Sequence, residues 1–138
     1  MSFYEPREDS ELLGRYVKRY ARGRVLDMGT GSGIQAVEAA KKKKVDSVLA
    51  VDIDEEVIRK LKKEIKNKKI RFKTSDLFSK VRGKFETIIF NPPYLPEEKG
   101  VKDKALFGGK KGHEILERFL EKVNNYLTFE GVVLIVFS

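Results

Sequence analysis

A predicted strand that passes directly into a glycine-rich turn dominates the first third of this chain. Residues 24 to 33 read Arg-Val-Leu-Asp-Met-Gly-Thr-Gly-Ser-Gly, and an apolar-periodic helix follows through Ile34 and Val37. Glycines in such a turn supply positive φ and let backbone N–H groups come close to a ligand. A strand, a glycine loop and a helix in this order open a nucleotide-binding α/β unit. We therefore predict an α/β fold with a ligand site at Gly29 and Gly31.

Acidic residues accompany three successive predicted strands. Asp27 lies in the first strand, Asp52 ends the second and Asp76 follows the third. A carboxylate at the mouth of a dinucleotide site would repel a pyrophosphate, whereas Asp27 would attract a ligand that carries an ammonium and a sulfonium group. S-adenosyl-L-methionine has both charges and no phosphate, so it is the ligand that we expect.

The strand-end acids can be given individual roles. We expect Asp52 to accept hydrogen bonds from ribose hydroxyls. Asp76 would bind the adenine amino group, with Leu77 and Phe78 packed near the ring. Each acid also has a structural reading, since Asp is common in turns and at helix starts, and Asp54 is predicted to be an N-cap of this kind. Three successive strands that each end in an acid favour the ligand reading for the set.

The tetrapeptide Asn-Pro-Pro-Tyr, at residues 91 to 94, follows another apolar run. The Asn91 side-chain oxygen and the Pro92 carbonyl could accept both N–H bonds of a planar NH2 group and draw its nitrogen toward tetrahedral geometry as a methyl group arrives. Tyr94 offers an aromatic face for a flat target. A plain strand-ending turn is the alternative, since Asn-Pro is ordinary turn chemistry. The motif predicts methyl transfer onto nitrogen, with Asn91, Pro92 and Tyr94 as the catalytic residues.

Strands and helices alternate along the chain without repeats or low-complexity linkers. This pattern predicts one domain over residues 1–138, with a mostly parallel sheet and the ligand at the carboxyl ends of its strands. The first helix is predicted at about residues 9 to 21, with Asp9 and Ser10 as its N-cap. The last strand is predicted at residues 131 to 138.

One connection is unusually long for a small domain. It covers residues 95 to 111, directly after Asn-Pro-Pro-Tyr, and it contains a Gly-Gly pair. Its position and composition predict a mobile substrate lid.

The composition is that of a cytoplasmic protein. The sequence contains no apolar run long enough to cross a bilayer and no signal-like start, so we expect no membrane partner. The absence of Cys excludes disulfides and cysteine-ligated zinc from this chain, and we predict no metal site. Charged residues make up 36% of the chain, with heavy use of Lys, which resembles the surface of a thermophile protein.

The formal net charge is +8, from 29 Lys and Arg against 21 Asp and Glu. Much of the positive charge lies in residues 41 to 44 and 60 to 73. A basic patch of this kind could attract RNA or a ribosome-associated partner. The runs fall at the ends and outer faces of predicted helices, which favours solvated helix surface for most of them and leaves nucleic acid open as a partner.

Taken together, these motifs resemble the class I S-adenosylmethionine-dependent methyltransferases. Within that group the chain is similar to the HemK-like amino-methyltransferases, especially the short archaeal and eukaryotic branch that modifies a glutamine of class-1 translation release factors. The segments that carry the resemblance are residues 4 to 10, 27 to 33, 75 to 78 and 91 to 94, with a weaker match at Gly108, Gly109, Gly112 and Glu114. Asn-Pro-Pro-Tyr is shared with adenine methyltransferases that act on DNA and RNA.

The resemblance implies a fold and a residue-by-residue site. The fold is a Rossmann-like methyltransferase sheet of about five strands, in the order 3-2-1-4-5 and flanked by helices. The implied contacts are Pro6, Asp9 and Ser10 over the methionine half of S-adenosyl-L-methionine, Asp27 and Gly29 beneath it, Asp52 on the ribose, Asp76 and Leu77 on the adenine, and Asn91 with Pro92 on the target nitrogen.

One departure from the family concerns the end of the chain. Members usually carry seven strands, the last two forming a hairpin beside the fifth, and this sequence stops at the predicted fifth strand. We expect that exposed edge to pair with another chain, through self-association or through the small zinc-binding activator protein that release-factor members commonly require. Three functions stay open: methylation of a release-factor glutamine, methylation of adenine in RNA or DNA, and a truncated cosubstrate-binding interaction protein without turnover.

Overall fold

The computed structural model of the protein describes residues 6–92 and 113–136, with side chains described for residues 9–92 and 114–136. The elements in chain order are α1 (Pro6–Tyr20), β1 (Gly23–Met28), α2 (Ile34–Ala40), β2 (Val45–Asp52), α3 (Glu55–Glu64), β3 (Ile70–Thr74), β4 (Phe85–Phe90), α4 (His113–Val123) and β5 (Leu127–Ile135), with a 3-10 turn at Asn124–Tyr126 before the last strand. Among the helices of these residues, none has the length and apolar character needed to cross a bilayer.

The strands of the described residues form one five-stranded sheet in the order β3-β2-β1-β4-β5. Every neighbouring pair is parallel. This confirms the strand order predicted from the sequence. Because the chain moves outward in both directions from β1, the strand order reverses between β1 and β4, and a crevice opens there at the carboxyl ends of the strands.

Two apolar layers hold the sheet between its helices. On one face α1 and α2 pack on the sheet through small and aliphatic side chains such as Val17 and Ala36, which meet Val25 of β1. The opposite face is aromatic. There Phe119 of α4 stacks on Phe90 with the ring centroids 4.2 Å apart.

Phe78 belongs to the aromatic layer. Its ring centroid lies 5.4 Å from that of Phe119 and 4.4 Å from that of Tyr126, and the residue is only 5% exposed. Phe78 also lines a concave surface together with Asp76 and Leu77, so its packing near an adenine ring stays a prediction.

The first helix begins earlier than its apolar pattern predicts. It starts at Pro6, because the fixed φ of proline suits the first helical turn and its missing N–H is not needed there. Asp9 and Ser10 therefore lie inside α1, and the prediction that they form its N-cap is wrong. Asp54 does cap α3, since its side chain accepts a hydrogen bond of 2.9 Å from the Glu56 N–H.

The last strand also begins earlier, at Leu127 instead of residue 131. The register between β4 and β5 shifts along the strands: Phe85 lies opposite Leu127, but Thr87 lies opposite Val132. The extra residues of β5 bulge outward, which leaves Phe129 fully exposed at 101%. At the bulge a Cβ on residue 131 would lie only 3.0 Å from the Phe85 carbonyl oxygen, which favours glycine there.

We expect Phe119→Ala to lower the free energy of unfolding by about 3–5 kcal/mol, because it opens a cavity beside two stacked rings. Urea titration followed by circular dichroism measures this. The matched control is Phe129→Ala, which removes the same atoms from an exposed position and should change the free energy by less than about 0.5 kcal/mol. Equal losses in the two variants would contradict the assigned core.

Candidate active site

The glycine-rich turn after β1 is held against the end of β2. The N–H groups of Gly29 and Thr30 both donate to the Val51 carbonyl, at 2.9 and 2.8 Å. One residue further, the Gly31 N–H donates to Asp52 Oδ2 at 3.0 Å. Gly29 and Gly31 have φ of 72° and 55°, which explains why glycine occupies both positions. The turn therefore lies at the mouth of the crevice, as its sequence predicts.

Asp27 is buried beneath this turn, with 3% of its surface exposed. Oδ2 of its carboxylate accepts a hydrogen bond of 2.8 Å from the Thr30 hydroxyl, and the carboxylate also accepts one from the Ala36 N–H at the start of α2. Burial raises the pKa of Asp27 from 3.8 to about 7, against the opposing effect of these two hydrogen bonds, and repulsion from Asp52 adds a smaller upward contribution. A cation placed nearby would favour the ionised form.

Asp52 ends β2 in a half-buried position. Its Oδ2 accepts the Gly31 bond, and its Oδ1 accepts one of 3.0 Å from the Asp54 N–H. Each carboxylate oxygen keeps a second lone pair, so the group can still accept hydroxyl donors. The Asp52 carbonyl accepts a bond from the Ser75 N–H at 2.9 Å, which joins the ends of β2 and β3.

Ile53 is a candidate site residue that the sequence reasoning missed. It follows Asp52 directly and is 64% exposed, which is unusual for a large aliphatic side chain. A flat ring bound at this edge could pack on it. Its position immediately after the acid that ends a strand is the signal that could have found it.

The segment after β3 is rigid and backbone-strained. Leu77 has a φ of 51°, the single positive value for a residue other than glycine in the described residues. The Ser75 hydroxyl fixes this conformation: it donates to the Leu77 carbonyl at 2.6 Å and accepts from the Lys80 N–H at 3.0 Å. Strain of this kind is common where a chain must present its backbone to a ligand.

Asp76, beside Leu77, is exposed and forms an ion pair with α4. Arg118 Nη2 donates to its Oδ1 at 3.1 Å. Exposed pairs contribute about 0–1 kcal/mol, so a ligand donor can compete for this carboxylate. Asp76 is therefore at the predicted edge of the sheet but already has a protein partner, which its position in the sequence did not indicate.

Asn91 and Pro92 follow β4, and both are half-buried. The Asn91 carbonyl oxygen lies 3.8 Å from the point where a Cβ on Gly29 would stand. The corner between β4 and the proline motif thus lies next to the glycine turn. Tyr94 and the connection at residues 95 to 111 lie outside the described residues, so the catalytic role of Tyr94 and the lid stay predictions.

Helix α1 is tied to α2 by a buried amide. Gln35 is 5% exposed, and its Nε2 donates to the Ser10 carbonyl at 2.9 Å. Its Oε1 has no hydrogen-bond partner among the described residues. Ser10 and its neighbour Asp9 are held near the start of α2 by this contact, while Pro6 opens α1 and its side chain lies outside the described ones. Gln35 was missed because it looks like an isolated polar residue in an apolar helix.

We expect the Asp27 carboxylate to make stability pH-dependent. Its folded pKa of about 7 lies above the ordinary 3.8, so its stabilising contribution is complete below about pH 4 and is lost as the pH rises through 7. The free energy of unfolding of Asp27→Asn, minus that of the wild type, should therefore increase between pH 4 and 7, by about 1.4 kcal/mol per pH unit at most. Urea titrations at several pH values measure the difference.

Asp46→Asn is the matched control, since Asp46 is an exposed acid of β2 outside the site. Its difference from the wild type should stay flat with pH. A flat difference for Asp27→Asn as well would mean that the carboxyl is not buried as described.

Comparison with known proteins gives the family. A family model described as the methyltransferase small domain matches residues 5–138. A Methanocaldococcus jannaschii protein assigned as a protein N5-glutamine methyltransferase is 42% identical, over 98% of this chain and 72% of its own length. A release factor glutamine methyltransferase of Streptococcus pneumoniae is 33% identical, over 79% of this chain and 43% of its own length.

Solved structures agree on the fold. The ribosomal protein L11 methylase of Lactobacillus delbrueckii superposes with a TM-score of 0.69 at 26% identity, covering 91% of this chain and 58% of that one. The chain spans less than half the length of the streptococcal relative. The match over nearly the whole sequence shows that the chain belongs to the methyltransferase small domain family and to the HemK-like class I methyltransferases.

Proposed function

We propose that this chain transfers a methyl group from S-adenosyl-L-methionine to the side-chain amide nitrogen of a protein glutamine, with a translation release factor as the acceptor. The observation that carries the proposal is the proximity of the glycine turn to the corner at Asn91, whose carbonyl oxygen lies 3.8 Å from the point where a Cβ on Gly29 would stand. Donor and acceptor residues are thereby adjacent, as a direct transfer between them requires.

The residues around the glycine turn fit a cationic donor. A buried Asp27 with a pKa of about 7 gains from any nearby positive charge, and S-adenosyl-L-methionine carries both an ammonium and a sulfonium group. Asp52 keeps lone pairs for ribose hydroxyls, and Ile53 and the strained backbone at Leu77 frame the place of the adenine. When bound, the donor supplies an electrophilic methyl group.

The acceptor side depends on hydrogen-bond acceptors. An amide nitrogen is a poor nucleophile because its lone pair is spread into the carbonyl. The Asn91 side-chain oxygen and the Pro92 carbonyl would accept its two N–H bonds and localise that lone pair as the N–C bond forms. The S–CH3 bond of the donor would break as the N–C bond forms, which leaves S-adenosylhomocysteine as the second product. The nitrogen would lose one proton to water only after bond formation begins, so a strong base is not required.

The choice of acceptor rests on the relatives. Those from Methanocaldococcus jannaschii and Streptococcus pneumoniae are named for glutamine methylation, the second in a release factor. A release-factor acceptor would place the enzyme in the cytoplasm. Adenine methylation has no comparable support, and it is the alternative outcome of the assay below.

The outer edge of β5 is the proposed contact for a partner chain. In the described residues β5 pairs with β4 alone, and it carries the fully exposed Phe129. An unpaired edge with an exposed aromatic residue is suited to strand pairing with a second polypeptide. A zinc-binding activator protein or a second copy of this chain would fill that role.

We expect Asn91→Ala to abolish methyl transfer while the affinity for S-adenosyl-L-methionine stays within about twofold, because Asn91 acts on the acceptor. Radiolabelled transfer to release factor, RNA and DNA measures turnover, and titration calorimetry measures binding. Lost binding would place Asn91 on the donor instead. Labelling of nucleic acid by the wild type, without labelling of release factor, would replace the glutamine proposal with adenine methylation.

Asp52→Ala should weaken S-adenosyl-L-methionine binding by about 1–3 kcal/mol, as expected when hydrogen bonds to an ionised group are lost. Titration calorimetry with S-adenosyl-L-methionine measures this change in binding free energy. Asp46→Ala, on the same strand but far from its carboxyl end, removes an equal charge and should leave the affinity unchanged. If both variants bind alike, the ribose lies elsewhere.

A further inference from the structure

A second concave surface lies on the face of the sheet that carries α4. It has a volume of about 470 Å³, and strand and turn residues alone line it among those described. The lining residues are Arg24, Ser47, Val48, Leu49, Arg71, Phe72, Lys73, Arg82 and Phe85, which we call the basic groove. Register places Leu49 beside Arg71 and Val51 beside Lys73, so the groove runs across β1, β2 and β3.

The groove is positively charged. Arg24, Arg71, Lys73 and Arg82 are all exposed, and no acid lines the surface with them. None of the four forms an ion pair within the described part of the chain. The nearby carboxylate of Glu86 accepts a hydrogen bond of 2.6 Å from the Arg24 backbone N–H and is not part of the lining. Four cations without a carboxylate among them create a local field that attracts an anionic partner.

One of the four cations is held in place. The Arg24 guanidinium lies 4.6 Å from the centroid of the Phe85 ring, and its Nη1 donates to the Lys84 carbonyl at 2.8 Å. Because these contacts fix the side chain before any partner arrives, less conformational entropy is lost on binding. The groove is therefore partly preorganised for an anion.

We propose that the basic groove binds the phosphate backbone of RNA. Three of its four cations are arginines, whose planar guanidinium groups pair with phosphate through two parallel hydrogen bonds. Ser47 adds a hydroxyl donor. Phe85 is 1% exposed, and the Phe72 side chain packs in the apolar layer on the opposite face of the sheet, so the groove offers no free aromatic face on which a base could stack. The contact is therefore with the backbone and independent of base sequence.

The groove is separate from the active site. None of the residues around the glycine turn, the strand-end acids or the proline corner lines it. Arg71 and Lys73 belong to the basic stretch at residues 60 to 73, but they lie on β3. The lysines of α3 and of the turn after α2 are separate from the groove, because α2 and the end of α3 pack on the opposite face of the sheet. The inference does not depend on the acceptor proposed above.

Fluorescence anisotropy with a labelled, mixed-sequence single-stranded RNA tests the proposal. The groove variant is Arg71→Gln/Lys73→Gln/Arg82→Gln, which leaves the structurally engaged Arg24 in place. The matched control is Lys43→Gln/Lys60→Gln/Lys63→Gln, which removes the same charge from exposed residues on the other side of the sheet. Circular dichroism and S-adenosyl-L-methionine affinity should be unchanged in both, which shows that each protein is folded.

For the wild type, four phosphate contacts predict that the logarithm of the association constant for RNA falls with the logarithm of the salt concentration, at a slope of about −2.8. This slope corresponds to a loss of affinity of about 50-fold between about 50 and 200 mM salt. The groove variant should bind at least about tenfold more weakly at about 50 mM, with a slope close to −0.7. The control should stay within about threefold of the wild type. If the triple variant fails to fold, Arg82→Gln alone should reduce the steepness of the slope by about 0.7.

Three results would overturn the proposal. The wild type could fail to bind RNA at about 50 mM salt. The control could lose as much affinity as the groove variant, which would mean that diffuse charge accounts for binding. Polyglutamate could compete as well as unlabelled RNA, which would assign the groove to an acidic protein. Methyl transfer is measured separately, so loss of either proposal leaves the other intact.

Discussion

The buried carboxylate of Asp27 is the contact on which the rest of the site depends. It accepts hydrogen bonds from the Thr30 hydroxyl and from the Ala36 N–H, and so ties the end of β1 to the glycine turn and to the start of α2. That arrangement lets Gly29 and Gly31 reach the end of β2. Removing this carboxylate from water costs free energy, and a nearby cationic ligand would offset that cost.

The two faces of the sheet differ in the side chains that pack on them. Small aliphatic residues let α1 and α2 pack closely on one face, which brings Ser10 within hydrogen-bond reach of Gln35. On the other face α4 covers an aromatic layer, into which its Phe119 side chain packs. Where α4 does not reach, the same face exposes the basic groove. Chemistry at the carboxyl edge and binding of an anion on the open face can thus coexist in a small protein.

Several assignments needed the tertiary structure because their cause is not local. Phe78 follows a polar strand end, and burial against Phe119 and Tyr126 determines its position. Asp76 finds Arg118, 42 residues away. The basic groove gathers cations from β1, from β3 and from the turn before β4, whereas the sequence shows only runs of lysine.

The sequence motifs alone predicted the α/β class, the glycine turn and the strand-end acids, and the resemblance to a known family implied the strand order. The first three follow from short patterns, since a strand period, a glycine run and a terminal acid act over a few residues. The tertiary structure was needed to show that Asp27 is buried with a raised pKa, that Asn91 lies next to the glycine turn, that Gln35 is buried and Ile53 exposed, and that four cations form the basic groove. Burial and side-chain proximity depend on which elements pack together, and no local pattern encodes that.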